Sequence, residues 1–196
     1  MRNHPIPDLT PLRKRFPALA ETGSDGRPFA FFDGPAGTQV PESVIEAMST
    51  HLVRANALAG GSFVVSQRCQ ETVEAARAAM ADFFNAAGPE EIVFGPNMTT
   101  LTWQMSRAIA RMLKPGDEIV VTELDHYANV SPWVALEEKG IVVRRARFNP
   151  ADCRLDLDHL AELINEKTHL VAVGYASNLV GTINPIAAIA EMAHGV

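Results

Sequence analysis

Cysteine is scarce in this chain, and the two present, Cys69 and Cys153, stand far apart with no CxxC pair and no histidine at ligand spacing. A disulfide framework and a zinc site are therefore not expected, no metal ligand set is read, and both thiols are taken as reduced and structural. Positive charge is also short: 17 Lys and Arg against 23 Asp and Glu leave a net charge of −6. Without a Lys/Arg cluster or a basic aromatic stripe to neutralise phosphates, nucleic acid is not a partner. No apolar run approaches the length of a membrane span, and the polar, proline-containing residues 1–12 lack the apolar centre of a signal peptide. The expectation is a cytoplasmic protein with no membrane partner. Two nucleotide-binding loops are missing as well, since no GxGxxG follows a strand and no GxxxxGK[ST] occurs.

What is present is a core. A hydrophobic content of 47% in 196 residues can bury a substantial interior. Residues 1–28 read as an arm, broken by Pro5, Pro7, Pro11 and Pro17, with room for a short helix over 8–16 and a turn at 23–27. From residue 29 to 196 the chain reads as one domain. Phe29 to Phe32 predicts a brief strand, Pro41 and Glu42 open a helix carrying Val44, Ile45, Met48 and Leu52 inward, and a long helix runs from about Ser66 to Phe84 with Val73, Ala76, Met80 and Phe83 on one side. Strands are then expected at Ile92 to Phe94, Glu118 to Thr122, Ile141 to Arg147 and His169 to Gly174, alternating with helices that begin near Met98, Val130, Asp156 and Pro185. This alternation predicts an α/β fold, a mainly parallel sheet with helices on both faces.

Ligands of such sheets lie beyond the carboxyl ends of the strands, which singles out particular loops. Ile92 to Thr100 reads as a strand, a tight loop and a helix start, and a helix N-terminus offers orphan N–H groups and a positive dipole end to an anion. Asn97 or Thr99 serves there as a cap or as an anion ligand, ahead of an apolar face made of Met98, Leu101, Met105, Ile109 and Met112. Asp125 to Asn129 sets His126 at a strand end, suited to stacking on a planar ligand or to proton transfer, or else to an ordinary surface role. Ser177 to Thr182 sets Asn178 at another strand end, where an Asn and Gly turn is the plain alternative. The glycines of Asp33 to Thr38 let backbone approach a neighbour closely.

Taken in order and spacing, Phe32-Asp33-Gly34-Pro35-Ala36-Gly37-Thr38-Gln39-Val40-Pro41, Phe94-Gly95-Pro96-Asn97-Met98-Thr99-Thr100, Asp125-His126-Tyr127-Ala128-Asn129-Val130-Ser131-Pro132-Trp133 and Ser177-Asn178-Leu179-Val180-Gly181-Thr182-Ile183-Asn184-Pro185 resemble class V pyridoxal-phosphate enzymes, most closely the cysteine desulfurase-like branch. The resemblance implies part of a fold type I large domain, pyridoxal 5'-phosphate as cofactor, a small amino-acid substrate and, in full-length form, a homodimer. It further implies that Thr99, with the backbone around Asn97 and Met98, holds the cofactor phosphate and that His126, the one catalytic candidate, stacks on the pyridine ring. Asn178 would meet the phenolic oxygen and the substrate carboxylate, and Ala36 and Gly37 would line the substrate side.

The chain also departs from the family pattern. Leu58 and Ala59 stand where members commonly have Asn and His, Tyr175 stands where they have His, and neither cysteine lies where a desulfurase nucleophile does. The resemblance implies an Asp facing the pyridine nitrogen and a Schiff-base Lys beyond residue 196, and none of the four lysines here, Lys14, Lys114, Lys139 and Lys167, matches that position. The expectation is the N-terminal portion of a larger enzyme, inactive by itself, with an unpaired sheet edge and an uncovered apolar face. A non-catalytic phosphate- or cofactor-binding module is the alternative.

Overall fold

The computed structural model describes residues 7–196, which divide into two compact units, one ending at Val93 and one spanning Phe94–Val196. The second unit is built on strand β1 (Glu118–Thr122), flanked by β2 (Val142–Ala146) and β5 (Thr168–Ala172) in a parallel, three-stranded sheet of order β2-β1-β5. A two-residue antiparallel pair, β3 (Phe148–Asn149) with β4 (Arg154–Leu155), forms a separate ribbon. Every residue of β1 is buried, as its continuous β-branched run requires of a central parallel strand. Side chains alternate across it. Ile119 and Val121 pack with Val130, Trp133, Leu136 and Ile141 on one face, against the end of helix α4 (Met98–Ile109) and the short helix α5 (Ser131–Val134). Val120 packs with Ala146, Leu155, Leu160 and Ile189 on the other, under α6 (Leu157–Leu163) and α7 (Ile186–His194). The predicted parallel sheet with helices on both faces is what forms.

One lock crosses the whole sheet at its amino end. The buried Glu118 carboxylate receives Nε–H and Nη2–H of Arg144 on β2, the latter at 2.7 Å, and Nδ2–H of Asn165, just before β5, at 2.8 Å. These bonds, Arg144 first, hold the Glu118 carboxyl down at about 2.

The first of the four expected strands does not form. Ile92 to Phe94 is extended backbone with no ladder partner, and Val93 is 71% exposed. An apolar triplet favours the strand conformation, but pairing needs a neighbour at the right edge, and β1 already has two. Phe29 to Phe32 likewise runs as irregular chain, preceded by a lone bridge between Thr22 and Pro28. Observed strand ends lie a residue or two inside or beside the expected ones at β2 and β5.

In the first unit, α1 (Thr10–Arg13), α2 (Glu42–Arg54) and α3 (Val64–Phe84) stand where the pattern put helices. Ser66 is fully buried and fastens the loop before α3, donating to Leu58 O at 2.6 Å while accepting the Gly61 N–H at 2.7 Å. Asn85 ends α3 in the left-handed conformation, φ 54°. The α2 face is not inward as expected, since Val44, Ile45, Met48 and Leu52 are exposed, and on the apolar side of α3 Val73 and Phe83 are exposed as well. In the second unit the same holds for Met98, Met105 and Met112 of the α4 pattern, whose helix ends at Ile109. Periodicity marks the side that favours burial, and among the described residues that side stays exposed at these positions. Among the described residues no helix is long and apolar enough to cross a membrane, and no group of three or more His, Cys, Asp or Glu is placed to hold a metal ion.

Candidate active site

The α4 N-terminus is built by its loop. Gly95 lies so close under the helix that a Cβ there would come to 2.5 Å from Leu101 Cδ2, so a larger residue would have to push the Leu101 side chain aside. Asn97 is the N-cap, its Oδ1 accepting the Thr100 N–H at 2.8 Å. Of the two uses open to Asn97 in the sequence, its oxygen takes the capping one. The N–H groups of Met98 and Thr99 make no hydrogen bond among the described residues, and the exposed Thr99 hydroxyl stands beside them. This is a donor-only end with the positive pole of a twelve-residue helix behind it.

At the carboxyl ends of β1 and β5 a small cleft of about 40 Å³ opens between the Asp125-His126 turn and the loop 174–184. His126 and Asn178, two of the predicted residues, both line it. The His126 Nδ1 accepts the Ala128 N–H at 3.1 Å and caps the 3-10 turn Tyr127–Asn129, against which α4 packs. With Nδ1 accepting, the neutral ring carries its proton on Nε2, and the imidazole is exposed at the cleft wall. Ala36 and Gly37 belong to the first unit, where their N–H groups close a turn onto Asp33 O at 2.8 and 3.0 Å. Gly37 helps line an apolar groove of about 540 Å³ with Leu12, Phe16 and Phe31.

Asp125 and Asn184, to which the sequence reading gave no role, organise the cleft. Asp125 Oδ2 accepts Thr122 Oγ1–H at 2.9 Å and the Gly174 N–H at 2.8 Å. Buried Asn184 donates Nδ2–H to Gly174 O at 2.8 Å. An Asp after a strand and an Asn before Pro185 look like turn residues in a sequence, and their partners lie 49 and 10 positions away, so no local signal reports them.

The lysines of the second unit sit at the other end of the sheet. Lys114 precedes β1, Lys139 precedes β2 and Lys167 directly precedes β5, each at a strand's amino end, whereas the cleft is at the carboxyl ends. Cys69 is buried in α3 and Cys153 lies in the β3–β4 turn.

An open parallel sheet with a cleft at its carboxyl edge and a free helix start in the same unit is an α/β arrangement, and the solved cysteine desulfurases that match it place the chain in part of the fold type I pyridoxal-phosphate transferase fold. The chain belongs to the class-V aminotransferase family, whose model matches residues 30–196. The cysteine desulfurase of Dickeya dadantii is 34% identical over 197 residues, covering 98% of this chain and 47% of that protein. Among solved structures, the cysteine desulfurase CsdA of Escherichia coli superposes with a TM-score of 0.81 at 30% identity, over 97% of this chain and 47% of that one. The apo cysteine desulfurase of Thermococcus onnurineus NA1 gives a TM-score of 0.84 at 27% identity, over 100% of this chain and 46% of that one. The chain thus spans less than half the length of these relatives. Class-V aminotransferases and cysteine desulfurases are pyridoxal-phosphate-dependent.

The residues present fit that group on chemistry. Its phosphate calls for donors without competing acceptors, which the free Met98 and Thr99 amides and the Thr99 hydroxyl supply. A flat conjugated ring calls for a flat partner, which a side chain such as His126, fixed by its Nδ1 bond, supplies.

Proposed function

We propose that this chain is the N-terminal part, with residues 29–196 belonging to the large domain, of a pyridoxal-phosphate-dependent enzyme acting on a small amino acid in the manner of the cysteine desulfurase branch. The observation that carries this reading is the pairing of His126 and Asn178 on one cleft at the carboxyl edge of the sheet. In it the Met98 and Thr99 N–H groups and the Thr99 hydroxyl hold the cofactor phosphate, with Asn97 fixing the helix start. His126 orients the ring by stacking and carries a proton at Nε2 that it can share with a reacting group. The Asn178 carboxamide offers N–H to a phenolate or carboxylate oxygen and C=O to a donor, which orients cofactor and substrate together. The sequence resemblance assigns Ala36 and Gly37, in the first unit, to the substrate side. When bound, the cofactor supplies an electron sink for the substrate's α-carbon.

The covalent lysine and the acidic partner of the ring nitrogen belong, in this reading, to sequence outside these 196 residues. The placement of Lys114, Lys139 and Lys167 at the amino ends of the strands supports this. A homodimer and a cytoplasmic location go with the same reading. Neither Cys69 nor Cys153 lines the cleft, so the chain offers no persulfide carrier there.

The test is cofactor titration. Thr99→Val should weaken pyridoxal-phosphate binding by about 1.5 to 3 kcal/mol, the contribution of a hydroxyl donor to a charged acceptor. His126→Ala should alter the bound cofactor's absorption spectrum while metal content stays at background. Borohydride reduction of the 196-residue chain with pyridoxal phosphate should leave no stoichiometric adduct at any one lysine. Unchanged affinity in the Thr99 variant together with an unchanged spectrum in the His126 variant would sink the reading.

A further inference from the structure

His126 and Asn178 lie 52 positions apart in the chain, yet they share one small cleft, and the structure assigns the task of setting them against each other to Asp125. We propose that Asp125 is a positioning residue, resting on the reading given above, whose carboxylate holds the hairpin 174–184 to the end of β1. Four groups make the device. Thr122, 1% exposed at the last position of β1, donates its hydroxyl to Asp125 Oδ2 and fixes the carboxylate. The same oxygen accepts the Gly174 N–H, at the point where the chain leaves β5. Gly174 is gripped from its other side as well, because its carbonyl accepts Asn184 Nδ2–H.

Beyond that grip the hairpin is internally closed. The Asn184 N–H donates to Tyr175 O at 2.8 Å, Ser177 N–H to Thr182 O at 2.9 Å and Gly181 N–H to Ser177 O at 3.1 Å, with Ala176 and Ile183 bridged between them. Asn178 sits at the tip of this closed unit. A displacement at Gly174 is therefore carried to Asn178 as a rigid movement, while His126 is bonded directly to Asp125 through the chain. Glycine at 174 is part of the fit, since a Cβ there would come to 2.5 Å from Asp125 Oδ1. Asp125 also lines the cleft, but its Oδ2 is engaged by Thr122 and Gly174, and in this reading it acts through the spacing of the two walls.

Hydrogen exchange and cofactor titration on the full chain separate the possibilities. Asp125→Ala should raise amide exchange at Gly174 and across the hairpin about tenfold, the effect of losing one hydrogen bond, with exchange in β1 unchanged. Asp125→Asn, which keeps an acceptor, should restore most of that protection, and Gly174→Ala should open the hairpin from the opposite side with Asp125 intact. The same two opening variants should weaken pyridoxal-phosphate binding about tenfold, and Asp125→Asn should recover it. Unchanged exchange in both Asp125→Ala and Gly174→Ala overturns the proposal. An opened hairpin with undiminished cofactor affinity overturns the positioning role and leaves a structural bond. If the unsubstituted chain takes up no pyridoxal phosphate, the functional reading falls, and the exchange data alone decide whether Asp125 holds the hairpin.

Discussion

The two units use apolar residues differently. The second closes its sheet between two helical layers, so that Ile119, Val120, Val121, Leu160 and Ile189 are essentially removed from water. In the first, helices α2 and α3 contribute only Ser66, Cys69 and Ala81 to the buried set, and Met48 and Leu52 remain 63% and 64% exposed. Both units have helices of clear amphipathic pattern. The difference shows that a pattern specifies a face, while burial requires a partner for it, and a three-layer sheet supplies that partner where a helix pair does not.

Truncating one leucine in each unit breaks the comparison open. Leu160→Ala removes a side chain that is 0% exposed between β1 and α6. It should destabilise the second unit by about 2 to 5 kcal/mol, through lost transfer energy and a residual cavity. Leu52→Ala removes a comparable side chain from an exposed face and should change stability by about 0.5 kcal/mol or less. Denaturant unfolding of both variants is the measurement. Equal losses would mean that α2 has a cover in solution.

The same contrast explains what could be read in advance. β1 is legible to the residue, because Glu118-Ile119-Val120-Val121-Thr122 is apolar on both faces and bounded by a Pro115-Gly116 turn. The helix starts at Asp156 and Pro185 are legible because caps are local. Ile92 to Phe94 misled because strand propensity does not carry the identity of a neighbour, and the inward face expected of α2 misled for the same reason. At the site, His126 and Asn178 stood out through their positions after strands. Asp125 and Asn184 did not, since a side chain that grips backbone 49 residues away leaves no spacing to find.

An intermediate effect is expected at the amino end of the sheet, where one polar group ties all three strands. Glu118→Ala frees Arg144 and Asn165 together and should cost about 2 kcal/mol, the range for charge-assisted hydrogen bonds at a partly buried position. Its pH dependence has a definite sign. The folded carboxyl is held at about 2, below its ordinary value of 4.5, so its stabilisation is complete above pH 4.5 and is lost as the pH falls through about 2. Acid unfolding monitored between those limits should be less steep in Glu118→Gln than in the unsubstituted protein. Parallel curves would mean that Glu118 titrates alike in folded and unfolded chains.

The smallest effect sharpens the comparison at a matched backbone feature, since among the described residues each unit has one non-glycine residue at positive φ. Asn85 closes α3 at φ 54°, and Cys153 turns the β3–β4 ribbon at φ 55°, its N–H donating to Asn149 O at 2.8 Å. A side chain with a Cβ pays about 1 to 2 kcal/mol in the left-handed region, and asparagine pays least of the non-glycine residues. Glycine removes that strain but adds unfolded-state freedom worth about 0.5 to 1 kcal/mol. Cys153→Gly should therefore stabilise the second unit by about 0.5 kcal/mol, and Asn85→Gly should leave the first almost unchanged. Thermal unfolding of the two variants checks both values. A loss on Cys153→Gly would show that the half-buried thiol contributes packing that outweighs its backbone strain, and would give that cysteine a structural reason to be there.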